Sequence, residues 1–251
     1  LSNRKMSNMP NPEPSEEKDL ERMRREYNRR NQDTTQRGKY APAYRPNQFM
    51  IQQRLHFVRR ALAEAGMTSL HGKRILEVGC GSGGVLQEYL ALNHDPGMLF
   101  GIDLLFERLS EAHTKLPTAG ISGADGRFLP FPEQSFDVLL QYTAFSSVLD
   151  SRIKEKMAGE MLRVLKRDGF ILWYDFWLNP TNTQTQGIRP KEIKSLFAGC
   201  QIRFLKITLA PPIARRIVPL SWKFAQFLES LLIFNSHYLA MIHKDSGSRS
   251  S

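Results

Sequence analysis

A chain of 251 residues, 41% of them hydrophobic, can bury one sizeable core with segments to spare, and its length favours a single α/β domain over two. No apolar run approaches the roughly 18–20 residues of a membrane-spanning helix and the first residues lack the apolar centre of a secretory signal, so a cytoplasmic protein without a transmembrane segment is expected. The formal charge of +10 raises nucleic acid, a membrane surface or an anionic acceptor as partners, but its excess lies in the stretch from Arg22 to Arg30 and in pairs such as Arg59-Arg60 and Arg215-Arg216, without the interleaved aromatics of a base-stacking platform, which disfavours nucleic acid.

Residues 1–35 read as a flexible to helical N-terminal extension: a polar, proline-rich start, then Ser15 as a cap with Glu16 and Glu17 in the first turn of a helix ending near Asn31. That helix is polar all round, so it must be held by pairing or docking. Residues 36–71 read as a helical cap, with an amphipathic helix from about Asn47 to Gly66 that carries Phe49, Met50, Leu55, Val58 and Leu62. This helix is expected to pack on the sheet or to lid a ligand, and Tyr40, Tyr44 and His56 are candidate acceptor contacts, with plain packing or solvation as the alternative for each.

From residue 72 to 251 the pattern is that of one domain. Apolar runs at 74–79, 98–103, 121–125, 136–142 and 169–176 alternate with helix-like stretches near 83–93, 105–116 and 152–167, which predicts a parallel sheet covered on both faces. In the last third, 201–209 and 237–243 read as strands, and Pro219 to Phe234 as a helix within an insertion at about 211–235. The aromatic and leucine stripe of that helix suits core packing, an apolar substrate floor or membrane contact.

The stretch from Arg74 to Gly84 joins an apolar strand to a glycine-rich turn, with Glu77 two residues before the first glycine. Gly79, Gly81, Gly83 and Gly84 let backbone approach a ligand, and the following helix offers free N–H groups to the same spot. The spacing Gly79-x-Gly81-x-x-Gly84 with Asp103 further on also satisfies a dinucleotide pattern, which keeps an NAD(P)-dependent oxidoreductase open. Glu77 weighs against a pyrophosphate through like-charge repulsion and suits a cationic ligand such as S-adenosylmethionine, which has an ammonium, a sulfonium and no phosphate. Cys80 fits the turn as a small residue. It and Cys200 stand in no Cys/His cluster, so neither a disulfide framework nor a metal site is expected.

Four ordered segments, Ile75-Leu-Glu-Val-Gly-Cys-Gly-Ser-Gly83, Gly101-Ile-Asp-Leu104, Ala124-Asp-Gly-Arg-Phe-Leu-Pro-Phe-Pro-Glu-Gln-Ser-Phe-Asp137 and Leu162-Arg-Val-Leu-Lys-Arg-Asp-Gly-Phe-Ile-Leu-Trp173, resemble the class I S-adenosylmethionine-dependent methyltransferases over about residues 72–177. The resemblance implies a Rossmann-like, seven-stranded, mostly parallel sheet with helices on both faces and the last strand antiparallel. It also implies that backbone around Gly79, Cys80, Gly81 and Gly83 holds the methionine part, Asp103 the ribose hydroxyls and Asp125 the adenine amino group, with Glu77, Leu104, Gly126 and Gln141 completing the set and S-adenosylhomocysteine as product. The later segments look like those of small bacterial enzymes acting on glycans or natural products, which points to O-methylation of a sugar or natural-product intermediate.

A hydroxyl acceptor calls for a base, for which Asp175, His237 and Tyr142 are the candidates. Asp175 stands in the aromatic strand end Leu172-Trp-Tyr-Asp-Phe-Trp177, where it either faces substrate or bonds to the loop at 179–186. Tyr174 and Arg189 are candidate acceptor contacts, the latter in a polar, amide-rich loop. Besides the oxidoreductase, a noncatalytic or nucleic-acid-binding module on the same fold remains open on charge.

Overall fold

In the computed structural model, which describes residues 14–32, 43–67, 69–92, 95–179 and 184–245, the apolar runs become one sheet. Helices α1 (Pro14–Gln32) and α2 (Arg45–Glu64) precede it. The alternation expected from the sequence then appears as β1 (Ile75–Val78), α3 (Gly84–Leu90), β2 (Leu99–Asp103), α4 (Phe106–Lys115), β3 (Gly120–Gly123), β4 (Phe136–Tyr142), α5 (Ser151–Val164) and β5 (Leu165–Phe176). α6 (Pro190–Leu196), β6 (Cys200–Leu209), α7 (Pro211–Ile217), α8 (Trp222–Ser230) and β7 (Asn235–Lys244) complete the described elements.

The strand order is β3-β2-β1-β4-β5-β7-β6, with the first five strands parallel and β7 antiparallel to both neighbours, as the resemblance implied. The order reverses between β1 and β4, the place beyond whose carboxyl ends ligands gather on open α/β sheets.

Strand alternation divides the core in two. Ile75, Val138, Leu140, Phe170 and Leu172 face one layer, against α2, α3 and α4; Leu76, Val78, Leu139, Ile171 and Trp173 face the other, against α5, α6 and Leu20 of α1. Because both faces are buried, these strands read as continuous apolar runs with no polar alternation. A third, smaller cluster joins Phe49 of α2 to Leu209, Ala214, Val218 and Ala225.

Two boundaries differ from the sequence reading. The helix expected over 219–234 is shorter, Trp222–Ser230, because Ser221 starts it, its Oγ accepting the Phe224 N–H at 3.2 Å, and a separate short helix, α7, stands before Pro219. β5 begins at Leu165, which pairs with Phe136 ahead of a register shift.

The polar helix α1 is held by charge. Glu16 is fully buried and pairs with Arg127 at 2.5 Å and Lys156 at 2.7 Å. Asp19 Oδ2 accepts the N–H groups of Leu149 and Asp150, just ahead of α5, at 2.8 and 3.0 Å. Arg22 donates to the Ser147 carbonyl at 2.5 Å, and Tyr27 shares a hydrogen bond with Ser147 Oγ at 3.0 Å. A helix of this length with so little apolar surface is marginal alone, so the docked form depends on these pairs. Glu16→Ala should therefore expose α1 amides to hydrogen exchange, lowering their protection by about 3 kcal/mol as a buried pair is broken, while β4 and β5 stay protected; unchanged exchange in α1 would show that the ion pairs do not hold it.

Candidate functional site

The glycine turn after β1 is built by backbone. Gly79 and Cys80 both donate to the Ile102 carbonyl, at 2.8 and 2.9 Å, which ties the turn to β2. Gly79 has φ +82° and a Cβ there would meet Ala144 Cβ at 2.6 Å, so only glycine fits. The Gly81 N–H donates to Asp103 Oδ2 at 2.7 Å, and Asp103 Oδ1 accepts the Leu105 N–H at 2.9 Å. Asp103 thus organises both loops and keeps further lone pairs for a ligand hydroxyl. Leu104 beside it is half-buried against the second core layer, and Gly126 is confined by Met157, whose Cε would lie 3.0 Å from an added Cβ.

Glu77 is buried beneath this turn and its Oε2 has no partner. Burial, with Glu88 and Asp103 nearby, pushes its carboxyl well above the usual range, against the pull of Arg54 and Arg108. A positively charged ligand beside the turn would draw this carboxyl back to its charged form and offset the cost of burying it. Cys80 is no nucleophile here, since burial and the charges of Glu77 and Asp103 push its thiol up.

Asp125 stands across the crevice and is chelated by Arg127, whose Nε lies 3.1 Å from each carboxylate oxygen and whose Nη2 donates at 2.8 Å. Arg127 is in turn the partner of Glu16. Over the glycine turn lies the Arg108 guanidinium, which occupies the space a Cβ on Gly81 would need and sits 5.2 Å from the Tyr27 ring. Helix α1 therefore reaches the mouth of the crevice.

Beside the crevice, on the α2 face, Arg54 joins Tyr142, Tyr174 and His237, three residues the sequence singled out, in one buried, packed cluster. Arg54 projects from α2, forms a short ion pair with Glu88 of α3, and places its guanidinium 5.2 Å from the ring centres of both Tyr142 and Tyr174. Its Nε has no partner. Burial disfavours its charge, yet Glu88 and the two tyrosines outweigh that and hold its pKa up. The Tyr142 hydroxyl meets Tyr89 at 3.1 Å and the Tyr174 hydroxyl meets Thr208 at 3.0 Å. His237 stacks on Tyr174 at 4.7 Å, with Nδ1 2.9 Å from Ser236 Oγ. Burial, helped by the Arg54 charge, lowers the His237 pKa to about 3, so the ring is neutral at pH 7 and a feeble base. The one sequence signal for Arg54 is its place between Met50 and Val58 at helical spacing, a lone cation on an apolar stripe.

Gln141 and Asp175 do not join these groups. They lie on the opposite face, where Gln141 Nε2 donates to Asp175 Oδ2 at 2.9 Å and the Ser146 N–H donates to the same oxygen at 3.1 Å. Asp175 Oδ1 accepts the Phe176 N–H at 2.9 Å. Burial pushes its pKa up to about 6. The expectation of a substrate-facing base is corrected: Asp175 braces the turn after β4. The expected bond to the 179–186 loop is indirect, through the Gln186 N–H on the Ser146 carbonyl at 2.8 Å.

Three expected acceptor contacts are placed elsewhere. Tyr44 precedes α2 and its carbonyl accepts the Asn47 and Gln48 N–H groups. His56 is on the outer side of α2, exposed beside Gln52, Arg59 and Gln226. Arg189 caps α6 with its backbone and lines a groove of about 790 Å³ with Trp177, Asn179 and Lys191. Tyr40 lies outside the described residues.

A family model described as Methyltransferase domain matches residues 76–173, the stretch from β1 through β5 that carries the crevice. This stretch of the chain is thus similar to a methyltransferase domain. Over 113 residues the chain is 35% identical to the fatty-acid O-methyltransferase of Mycolicibacterium smegmatis, covering 44% of this chain and 40% of that protein. Another 36% identity over 121 residues relates it to phthiotriol/phenolphthiotriol dimycocerosates methyltransferase 1 of Mycobacterium ulcerans, covering 45% and 40% respectively. The chain thus spans about two fifths of the length of these curated relatives. A solved structure of a putative sarcosine dimethylglycine methyltransferase from Galdieria sulphuraria shares the fold, with a TM-score of 0.56 at 13% identity, covering 76% of this chain and 85% of that one.

Two measurements probe the α2-face cluster. Arg54→Met should cost about 3 kcal/mol in urea unfolding by leaving Glu88 buried and unpaired, and Arg54→Met with Glu88→Gln should recover most of it; equal loss in both would show that the ion pair is not the stabilising contact. The lowered pKa of His237 means that the unfolded chain takes up a proton below about 6.5 that the folded chain refuses until about 3. The native state accordingly loses stability as pH falls through that window. Between pH 7.5 and 5 the wild type should lose about 2 kcal/mol relative to His237→Phe, whereas parallel pH profiles would place the ring in water.

Proposed function

We propose that this chain is a cytoplasmic enzyme that takes a methyl group from S-adenosylmethionine and transfers it to a small, lipid-like acceptor through an oxygen atom. The observation that carries this reading is the buried Glu77 carboxyl, whose Oε2 has no partner, beside the glycine turn, with Asp103 and Asp125 at the same sheet edge. Such a site favours a ligand with positive charge and no phosphate, and so weighs against a dinucleotide. When bound, S-adenosylmethionine supplies an electrophilic methyl on a sulfonium, leaving alignment and exclusion of water to the protein.

In this reading the backbone from Gly79 to Gly83 lies along the methionine part, Glu77 balances its ammonium, Asp103 accepts from the ribose hydroxyls and Asp125 from the adenine amino group. The acceptor binds at the sheet end beside the α2-face cluster. There a cation, Arg54, stands with Tyr142 and Tyr174; burial shifts His237 and both tyrosines away from use as bases, and Glu88 is held by Arg54. An acceptor that arrives ionised needs no base, which favours a carboxylate at the end of an apolar chain over a neutral sugar hydroxyl. The names of the relatives, a fatty-acid and a phthiotriol dimycocerosates enzyme, support the same acceptor class.

Calorimetric titration with S-adenosylhomocysteine, beside NAD and NADP and after stripping any copurified cofactor, tests the cofactor; saturable binding of a dinucleotide alone would overturn the reading. Asp103→Ala should weaken S-adenosylhomocysteine about tenfold through loss of charge-assisted hydrogen bonds, with the fold retained. Long-chain carboxylic acids should give methyl esters where matching alcohols and sugars give no product, and turnover of sugars alone would return the acceptor to the glycan class.

A further inference from the structure

The chain exposes its apolar surface unevenly. Of the nine large hydrophobic side chains that stand exposed among the described residues, six fall between 220 and 233: Leu220 and Ile233, at 82% and 72% exposure, with Phe224, Phe227, Leu231 and Leu232. The sequence left core packing, a substrate floor and membrane contact open for this stripe, and these six side chains are not in the core. Ala225 of α8 joins the small third cluster and Trp222 and Leu228 pack against it, while the rings of Phe224 and Phe227 stack outward 6.2 Å apart. Scattered apolar residues on a surface mean little, but a contiguous set on one short segment marks an interaction site.

The mount beneath this patch is rigid. Glu229, buried, accepts the Leu209 N–H at 3.1 Å, and Asn235 Nδ2 donates to the Glu229 carbonyl at 2.9 Å. Between these anchors Leu232 is held at φ +60°, a conformation that a leucine adopts at a cost, and the turn so formed keeps Leu231, Leu232 and Ile233 outside. Charge points to what covers the patch. Arg216 and Lys223 are exposed within the segment, and from Pro211 to Phe234 the sole acid is Glu229, which faces inward. Apolar tips flanked by cations, on a chain with net charge +10, complement an anionic lipid surface.

We propose that α8 and the turn after it dock this protein on the surface of a bilayer containing anionic lipid, with Phe224, Phe227 and Ile233 inserted at the headgroup boundary and Arg216 and Lys223 among the headgroups. Trp222, at the start of α8, packs edge-on against Phe49 of α2 at 5.0 Å, and α2 also carries Arg54 into its buried cluster. The docking surface and that cluster therefore share a helix. Uptake of an apolar acceptor from the bilayer through this contact rests on the function proposed above, whereas the docking itself does not.

Flotation of the full chain with vesicles of phosphatidylcholine, alone or mixed with phosphatidylglycerol, tests the docking. The wild type should float with the mixed vesicles and bind the neutral ones weakly. Phe224→Ser with Phe227→Ser and Ile233→Ser should reduce partitioning at least about tenfold on both, and Arg216→Glu with Lys223→Glu should do so on mixed vesicles only. Retained thermal unfolding and S-adenosylhomocysteine affinity in both variants would show that only the surface has changed. Partitioning that the serine variant leaves intact would overturn the proposal. So would a concentration-dependent dimer, abolished in that variant, that binds no vesicles. Vesicle binding without S-adenosylhomocysteine binding would leave the docking standing and remove the methyltransferase reading.

Discussion

Alternation along the sheet is the constraint on which the site depends. Successive residues of β1, β4, β5 and β7 point to opposite layers, so Glu77, Tyr142, Tyr174 and His237 meet on the α2 face while Gln141 and Asp175 meet under α5. A slip of one residue in the pairing of β4 with β5 would exchange these sets and bury the wrong charges on each side. The α2 face then carries two carboxyls, Glu77 and Glu88, that burial pushes toward the neutral form. Arg54 is the cation that offsets them. Its place on α2 couples the packing of that helix to the electrostatics of the cluster, which is why a segment preceding the sheet matters to chemistry at its edge.

Much of the fold was legible because its signals are local. Buried parallel strands declare themselves as apolar runs, and the turn after β1 declares itself by glycines that only a close backbone approach requires. The same property hid which way each side chain points. A strand buried on both faces has no polar alternation to read, so nothing in Leu172-Trp-Tyr-Asp-Phe-Trp177 separates the side of Tyr174 from that of Asp175. Both were natural site candidates, and the sheet gave them opposite layers. Long-range pairing was hidden for a different reason: Glu16 as a partner of Arg127 follows from no local spacing, although the all-polar character of α1 did require that such partners exist. The short helix α7 ahead of α8 was readable in principle, since Pro211 marks a start and Pro219 a stop.

Helix α1, Arg127 and Asp125 form one chain of charges, and its arithmetic shows how a ligand at Asp125 would be felt at α1. Arg127 uses both oxygens of Asp125 and one of Glu16. A carboxylate offers about four lone-pair sites, so Asp125 can accept a further donor without releasing Arg127. A ligand that approaches Gly81 meets a stricter limit, because the Arg108 guanidinium already fills the space beside that backbone and rests near Tyr27 of α1. Contact at the adenine end is thus compatible with docked α1, whereas contact at the glycine turn moves Arg108 and works against it.

In the proposed reaction the α2-face cluster matters by what it withholds as much as by what it offers. A hydroxyl nucleophile needs its proton removed, and Asp175 is braced on the other face, His237 is shifted by burial away from useful basicity, and Glu88 is held in an ion pair with Arg54. Arg54 stabilises an anion without accepting a proton, so in the proposed reaction the chain orients a nucleophile that ionised in water. Burying that anion beside the two tyrosine rings favours acceptors whose remaining surface is apolar, since a polyhydroxylated one would strand its hydroxyls against rings that offer few partners. Such acceptors are sparingly soluble and concentrate in lipid. In the proposed docking, a face anchored to α2 shortens the path of such an acceptor from the bilayer to the site.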